Sequence, residues 1–212
     1  MDSEFWHDKW ENKKIGFHEP DGNSLFKNYF KDLNLKTGAC VFLPLCGKTH
    51  DIARLLDQGY RIKGCELSEL AIQELFDELQ LTPDISKASD LKIYRAANIE
   101  IFVGNFFDLT ADLLGAIDAV YDRAAYVALP PEMRKSYSEH LITISKQAPI
   151  FLITYEYDQS QTDGPPFSIS DQEIQDRYAA SYHVTKKTII CLIKGLRKNC
   201  PATETVWVLE GN

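Results

Sequence analysis

The chain has no C-x-x-C pair, no G-x-G-x-x-G turn, no long apolar run and no basic excess. Each absence removes a class of function. The five cysteines (Cys40, Cys46, Cys65, Cys191, Cys200) are scattered. Three of them sit in or beside apolar strands, where a free cysteine behaves as a small hydrophobe. No cluster of His, Cys or carboxylate has metal-ligand spacing, and His7 and His18 read as surface residues. The missing glycine fingerprint argues against a nicotinamide-dependent oxidoreductase, the alternative that would share the strand-turn-helix geometry described below. Lysine and arginine number 23 against 31 aspartates and glutamates, a net charge of −8. That balance gives neither nucleic acid nor an anionic membrane a basic stripe to bind. No apolar run approaches the 18 or so residues of a membrane helix. The acidic opening Met1-Asp2-Ser3-Glu4 does not read as a targeting segment. With an odd cysteine count, a cytoplasmic location is expected. Repeats, low-complexity tracts and linkers are also missing. The 212 residues, 44% hydrophobic and 25% charged, suit a single domain spanning 1–212, with a monomer expected.

What is present is organised around Val41-Phe42-Leu43-Pro44-Leu45-Cys46-Gly47-Lys48. The apolar run predicts a strand buried on both faces, and Pro44 predicts its end. Gly47 lets backbone approach a ligand closely. Ile52, Leu55 and Leu56 then share a helical face, with Gly59 as its stop. A second strand, Tyr60 to Cys65, ends at Glu66, nineteen residues past Gly47. In nucleoside-binding α/β sheets an acid about 20 residues beyond the glycine turn takes the ribose hydroxyls. A solvated strand end is the plainer reading of Glu66. Gly47-Lys48-Thr49 is not a phosphate loop, because Phe42 stands where that motif needs its first glycine.

Trp6 and Trp10 would stack on one helical face, and with Phe17 they concentrate large aromatics ahead of the first strand. They make either a helix packed on the core or a lid over a flat ligand. The lid and the amphipathic helix after it, Asp21 to Leu33, fill residues 1–33. Ser68 reads as a helix cap. Thr82 to Asn98 has weak periodicity and is expected to be poorly ordered, with a short strand near Leu91 to Tyr94.

A third strand, Ile99 to Val103, leads into Asn105 and Phe106, an amide and a ring suited to a base edge and a base face. The plainer reading is a loop before a helix capped by Asp108. A fourth strand, Ala116 to Tyr121, ends beside Arg123, which is either functional or a structural partner of Asp122 or Glu66. Pro130-Pro131-Glu132 starts a long helix to about Lys146. After a fifth strand, Pro149 to Tyr155, the stiff loop Gly164-Pro165-Pro166-Phe167 is expected to wall a pocket, and Ser170 and Glu173 form a capping box. Val184 to Ile193 and Glu204 to Leu209 predict a closing antiparallel pair, joined by a solvated turn.

Trp6-x-x-x-Trp10, Gly16-Phe17-His18, Phe42-x-Pro44-Leu45-Cys46-Gly47-Lys48, Glu66-Leu67-Ser68, Phe107-Asp108-Leu109, Asp122-Arg123-x-Ala125 and Gly164-Pro165-Pro166-Phe167 together resemble the thiopurine S-methyltransferase family, its bacterial branch above all. The resemblance implies an α/β, Rossmann-like fold: a mostly parallel seven-stranded sheet, helices on both faces and a C-terminal antiparallel hairpin. It implies S-adenosylmethionine as cofactor, held by Trp10, Leu45, Glu66 and Arg123, with Asn105 and Phe106 flanking adenine and Phe17 over the substrate. Arg123 would favour an anionic sulfur. Phe17, Tyr126, Pro165 and Phe167 would wall an acceptor pocket for aromatic or heterocyclic thiols. Bacterial relatives are associated with small selenium and tellurium species, which are alternative acceptors. Animal members carry Gly-Ala-Leu after the Asp-Arg pair, whereas Ala124-Ala125-Tyr126 stands here.

Overall fold

The computed structural model describes residues 3–16, 18–196 and 200–212. Its centre is five parallel strands: β1 (Cys40–Leu43), β2 (Arg61–Glu66), β5 (Ile99–Val103), β6 (Ala119–Arg123) and β7 (Ile150–Tyr157), in the spatial order β5-β2-β1-β6-β7. An antiparallel hairpin closes each edge, so the sheet has nine strands, not seven. At one edge β3 (Asp84–Ala88) and β4 (Leu91–Ala96) pair with each other and then with β5. This corrects the expectation of poor order for residues 82–98. The alternation there was weak because β3 is exposed along most of its length and β4 alone buries residues (Leu91, Ile93, Tyr94). At the other edge β9 (Ala202–Gly211) pairs with β7, and β8 (Tyr182–Cys191) pairs with β9.

Strand β1 is buried at every residue. Successive side chains leave a strand on opposite faces, so β1 feeds two cores. Val41 and Leu43 pack with Ile52 and Leu55 of α3 (Asp51–Asp57), Ile72 and Leu75 of α4 (Glu69–Glu78), and Leu25 and Phe26 of α2 (Ser24–Tyr29). Phe42 faces the other core, with Leu114 of α5 (Ala111–Leu114), Leu141 of α6 (Pro131–Ser145) and Ile174 of α7 (Asp171–Tyr178). The remaining helix, α1 (Ser3–Glu11), precedes an irregular strap that leads to α2.

Local chemistry sets the helix starts. Asn23 accepts the N–H groups of Leu25 and Phe26 at 2.9 and 3.0 Å, and Ser68 caps α4 through Ala71 at 3.3 Å. Pro131 opens α6, where its missing N–H costs no hydrogen bond. The capping box at α7 is half formed: Ser170 Oγ accepts the Glu173 N–H at 3.2 Å. The Glu173 carboxylate turns instead to the Tyr126 hydroxyl and the Arg134 guanidinium. Among the described residues, no helix is long and apolar enough to cross a membrane.

The strand order reverses at β1, with β2 on one side and β6 on the other. In an open α/β sheet this switch leaves a crevice beyond the carboxyl ends of the two strands.

Candidate active site

A cavity of about 550 Å³ occupies that crevice, and the chain bends sharply to form it. Beyond β1, Leu45 and Gly47 adopt φ values of +46° and +51°; beyond β6, Ala124 adopts +59°. Left-handed backbone at non-glycine residues costs about 1–2 kcal/mol, and such geometry collects at functional sites. All three residues line the cavity. At Gly47 a Cβ would stand 2.9 Å from the Trp10 ring, so no side chain fits there. Trp10, near the end of α1, thus covers the turn that β1 makes.

Glu66 binds this turn to the next one. Its Oε2 accepts the Gly47 N–H at 2.8 Å and its Oε1 accepts the Ser68 N–H at 2.8 Å. Glu66 is 6% exposed, which removes the reading of a solvated strand end. Burial pushes its carboxyl above the ordinary value, while the N–H groups of Ser68, Gly47 and Leu67 pull it back. A carboxylate offers about four lone-pair sites. Gly47 and Ser68 take one on each oxygen and the Leu67 N–H leans on the group as well, which leaves some acceptor capacity at the cavity wall that Glu66 lines.

Asn105 and Phe106 follow β5 and also line the cavity. Asn105 Oδ1 accepts the Phe107 N–H at 3.2 Å and caps this turn, while the helix after it, α5, is capped by Thr110 and not by Asp108. The Phe106 ring lies 5.0 Å from Tyr137 and 5.1 Å from His140. Phe107, which sequence reasoning passed over, is the more exposed ring and lines the cavity too.

Asp122 and Arg123 are consecutive on β6 and therefore face opposite sides of the sheet. Arg123 lines the cavity. Its ion-pair partner is Glu19 of the strap, neither Asp122 nor Glu66. Asp122 is fully buried on the other side, accepting the Tyr126 N–H at 3.0 Å and the Tyr137 hydroxyl at 2.7 Å. Burial pushes its carboxyl up to about 6. The strap is anchored twice more: the Asn23 N–H reaches Asp51 Oδ1 at 2.9 Å, and the His18 and His50 imidazoles meet with Nε2 atoms 3.0 Å apart. Burial, then the charges of His50 and Lys48, hold His18 below its ordinary value. Lys48 is paired with Glu74 and Glu78, consistent with its exclusion as a phosphate-loop lysine.

Two residues expected in the acceptor wall, Tyr126 and Phe167, stand elsewhere. Tyr126 is fully buried in the core under α6 and α7, where its hydroxyl bonds Glu173 at 2.7 Å. It belongs to the short turn Tyr126–Ala128, which sends Tyr126 to the core and presents Val127 and Ala128 to the cavity. Phe167 packs on Gly164 and donates its N–H to the Val127 carbonyl at 2.7 Å; Pro165 and Pro166 line the cavity, and Phe167 does not. Phe17 lies outside the described residues.

Sequence reasoning also missed several wall residues. Met133 of α6 and Tyr155 of β7 line the cavity, as do Gly195 and Leu196 in the β8–β9 connection. That connection is therefore not simply a solvated turn. Alternation along β7 places Tyr155 on the same face as Phe151 and Ile153, a signal that was readable. For Gly195 and Leu196 no local pattern exists. Among the described residues no three His, Cys, Asp or Glu side chains gather as a metal site.

Comparison with known proteins agrees with this geometry. Among solved structures, the chain is similar to a SAM-dependent methyltransferase from Anabaena variabilis, with a TM-score of 0.70 at 13% identity over 99% of this chain and 95% of that one. It is also similar to a Burkholderia thailandensis 1,6-didemethyltoxoflavin-N1-methyltransferase with bound S-adenosylhomocysteine, with a TM-score of 0.61 at 13% identity over 98% and 87%. These likenesses establish the fold. Curated relatives are nearer in sequence. The thiopurine S-methyltransferase of Gluconobacter oxydans is 44% identical over 203 residues, covering 96% of this chain and 92% of that protein. The Teredinibacter turnerae protein of the same name is 44% identical over 212 residues, covering 100% and 99%. The family description for thiopurine S-methyltransferase matches residues 1–199. The chain belongs to the thiopurine S-methyltransferase family.

Proposed function

We propose that the protein transfers a methyl group from S-adenosylmethionine to the sulfur of aromatic or heterocyclic thiols. The observation that carries this reading is the buried Glu66 carboxylate, tied to the Gly47 turn at the strand-order switch, with Arg123 across the same cavity. The residues suit the cofactor. Glu66 retains acceptor capacity for the ribose hydroxyls, the Gly47 turn leaves room for close approach, Phe106 and Phe107 offer ring faces to adenine, and Trp10 closes the turn from above.

When bound, that cofactor supplies an electrophilic methyl on a sulfonium. The rest is placement. A thiol reacts as thiolate, and heterocyclic thiols ionise readily, so the protein needs no strong base. The candidate carboxylates fit that expectation. Asp122 is sealed in the core, and Asp8 is an exposed partner of Lys14. Arg123, held in a fixed position by β6, favours the anionic sulfur electrostatically. The sulfur lone pair forms the new S–C bond as the old C–S bond breaks, and both products are neutral thioethers. Proximity and orientation in the cavity supply the rate. Pockets for small molecules run about 300–1,000 Å³, and the apolar wall of Val127, Leu129, Met133 and Leu196 suits a flat ring.

The test is incubation of purified protein with labelled S-adenosylmethionine and a panel of 6-mercaptopurine, thiophenol, selenite and cysteine. Label transfer to the first two, with the highest kcat/KM, is expected. Cysteine as best acceptor would remove the aromatic pocket from the proposal.

A further inference from the structure

Glu19 and Arg123 pair across the cavity that both line. The partners are unequal. The Arg123 side chain is 8% exposed and fixed by β6; the Glu19 side chain is 37% exposed and comes from the strap. The same Glu19 oxygen accepts a second bond from Asn23 Nδ2 at 3.2 Å. An exposed carboxylate can leave a buried guanidinium at small desolvation cost, whereas the guanidinium cannot shed its charge.

Among the described residues, the other charged or titratable groups near Arg123 offer no such exchange. Asp51 is fully buried and already accepts the Asn23 N–H and the Tyr121 hydroxyl. Tyr121 and Tyr155 are kept protonated by burial. Glu204 is buried beside Tyr155, and desolvation pushes its carboxyl up. His18, on the strap, is held toward neutrality.

We propose that Glu19 is the exchangeable counter-ion of Arg123: an anionic acceptor sulfur takes its place before transfer, and Glu19 returns once that sulfur is a neutral thioether. Glu19 is thus a specificity-determining residue that makes every anionic acceptor compete with an internal carboxylate. The inference rests on the methyl-transfer reading. In charge, the acceptor loses its negative charge as the donor sulfonium loses its positive one. Arg123 is then left facing two neutral sulfurs, with Glu19 as the anion already tethered beside it.

Glu19→Gln keeps the size and the hydrogen-bond acceptor and removes the charge. The readout is the ultraviolet absorbance of 6-mercaptopurine, titrated with pH on protein saturated with S-adenosylhomocysteine. In Glu19→Gln the bound thiol should ionise about one pH unit lower, matching about tenfold tighter binding of the anion. Binding of 6-methylmercaptopurine, which is neutral, should not change, and Glu19→Asp should behave as wild type. An unshifted ionisation, or equal weakening of both ligands, would overturn the proposal and leave Glu19 as an anchor of the strap. Wild type that methylates no thiol would instead overturn the reading beneath it, independently of the Glu19 result.

Discussion

At one end of the cavity a buried carboxylate accepts two backbone N–H groups, both from turns that directly leave parallel strands. At the other end a buried guanidinium meets a side chain from an irregular strap. The first arrangement is fixed by the sheet: Glu66 closes β2, Gly47 follows β1, and the β1–β2 register sets their separation. The second depends on residues far apart in the chain, with Glu19 and Arg123 separated by 104 positions. A cofactor site built on strand ends is rigid by construction, whereas an acceptor site built on loops can change its walls without disturbing the sheet.

The sharpest way to break this contrast is at Glu66. Glu66→Ala removes the carboxylate proposed to accept two ribose hydroxyls and releases the Gly47 and Ser68 N–H groups. Hydrogen bonds to a charged group contribute about 1.5–3 kcal/mol each, so cofactor affinity should fall about a hundredfold or more. Calorimetry with S-adenosylhomocysteine measures it. An affinity within threefold of wild type, in a variant that remains folded, would take Glu66 out of the site.

A second test separates the two sides of β6. Asp122 has a folded-state pKa of about 6, raised by burial from 3.8. For a raised acid, the favourable contribution is complete below the unfolded value and is lost as pH climbs through the folded one. The window is therefore about pH 4 to 6. Asp122→Asn removes this titration, so the variant should gain stability relative to wild type as pH rises from 4 to 7. The two pKa values bound that change at about 3 kcal/mol. Denaturant melts at both pH values measure it. A difference between variant and wild type that is the same at pH 4 and pH 7 would show that Asp122 does not carry the pH dependence.

The legibility of the molecule divides along the same line. The five central strands, the Gly47-to-Glu66 spacing and the caps at Ser68 and Ser170 are local signals, and the structure has them within a few residues of where the sequence placed them, the largest offset being β6 at Ala119–Arg123 against an expected Ala116 to Tyr121. The split of Asp122 from Arg123 was hidden because the strand was expected to end at Tyr121, before both residues. The strand expected near Leu91 to Tyr94 is β4, whereas its partner β3 was missed because an exposed edge strand need not alternate. The Glu19 partner of Arg123 and the Leu196 wall were missed because no residue near either one marks them. Tyr126 is the instructive error. Its position next to the Asp-Arg pair suggested a pocket wall, but a single tight turn rotates it into the core.

The smallest expected effect is at that residue, and it sharpens the contrast. If Tyr126 walled the acceptor pocket, changing it would redirect acceptor choice. The structure instead buries its ring in the core and bonds its hydroxyl to Glu173 at 2.7 Å, inside a network that also holds Arg134. Tyr126→Phe removes that hydroxyl and leaves the ring, so the expected loss is one hydrogen bond to a partly buried carboxylate, about 1–2 kcal/mol of stability. Tyr126→Leu removes the ring as well, opens space between α6 and α7, and should cost more. Neither variant should alter the ratio of kcat/KM for 6-mercaptopurine to that for thiophenol by more than about twofold. Leu196→Ala, which touches the cavity and packs on the small cluster of Tyr157, Cys200 and Ala202, should alter that ratio at a small cost in stability. The measurement is a pair of kcat/KM values and a thermal melt for each variant. A shifted acceptor ratio in Tyr126→Phe at wild-type stability would move Tyr126 back into the pocket wall and show that the turn after β6 shapes acceptor choice through both of its faces.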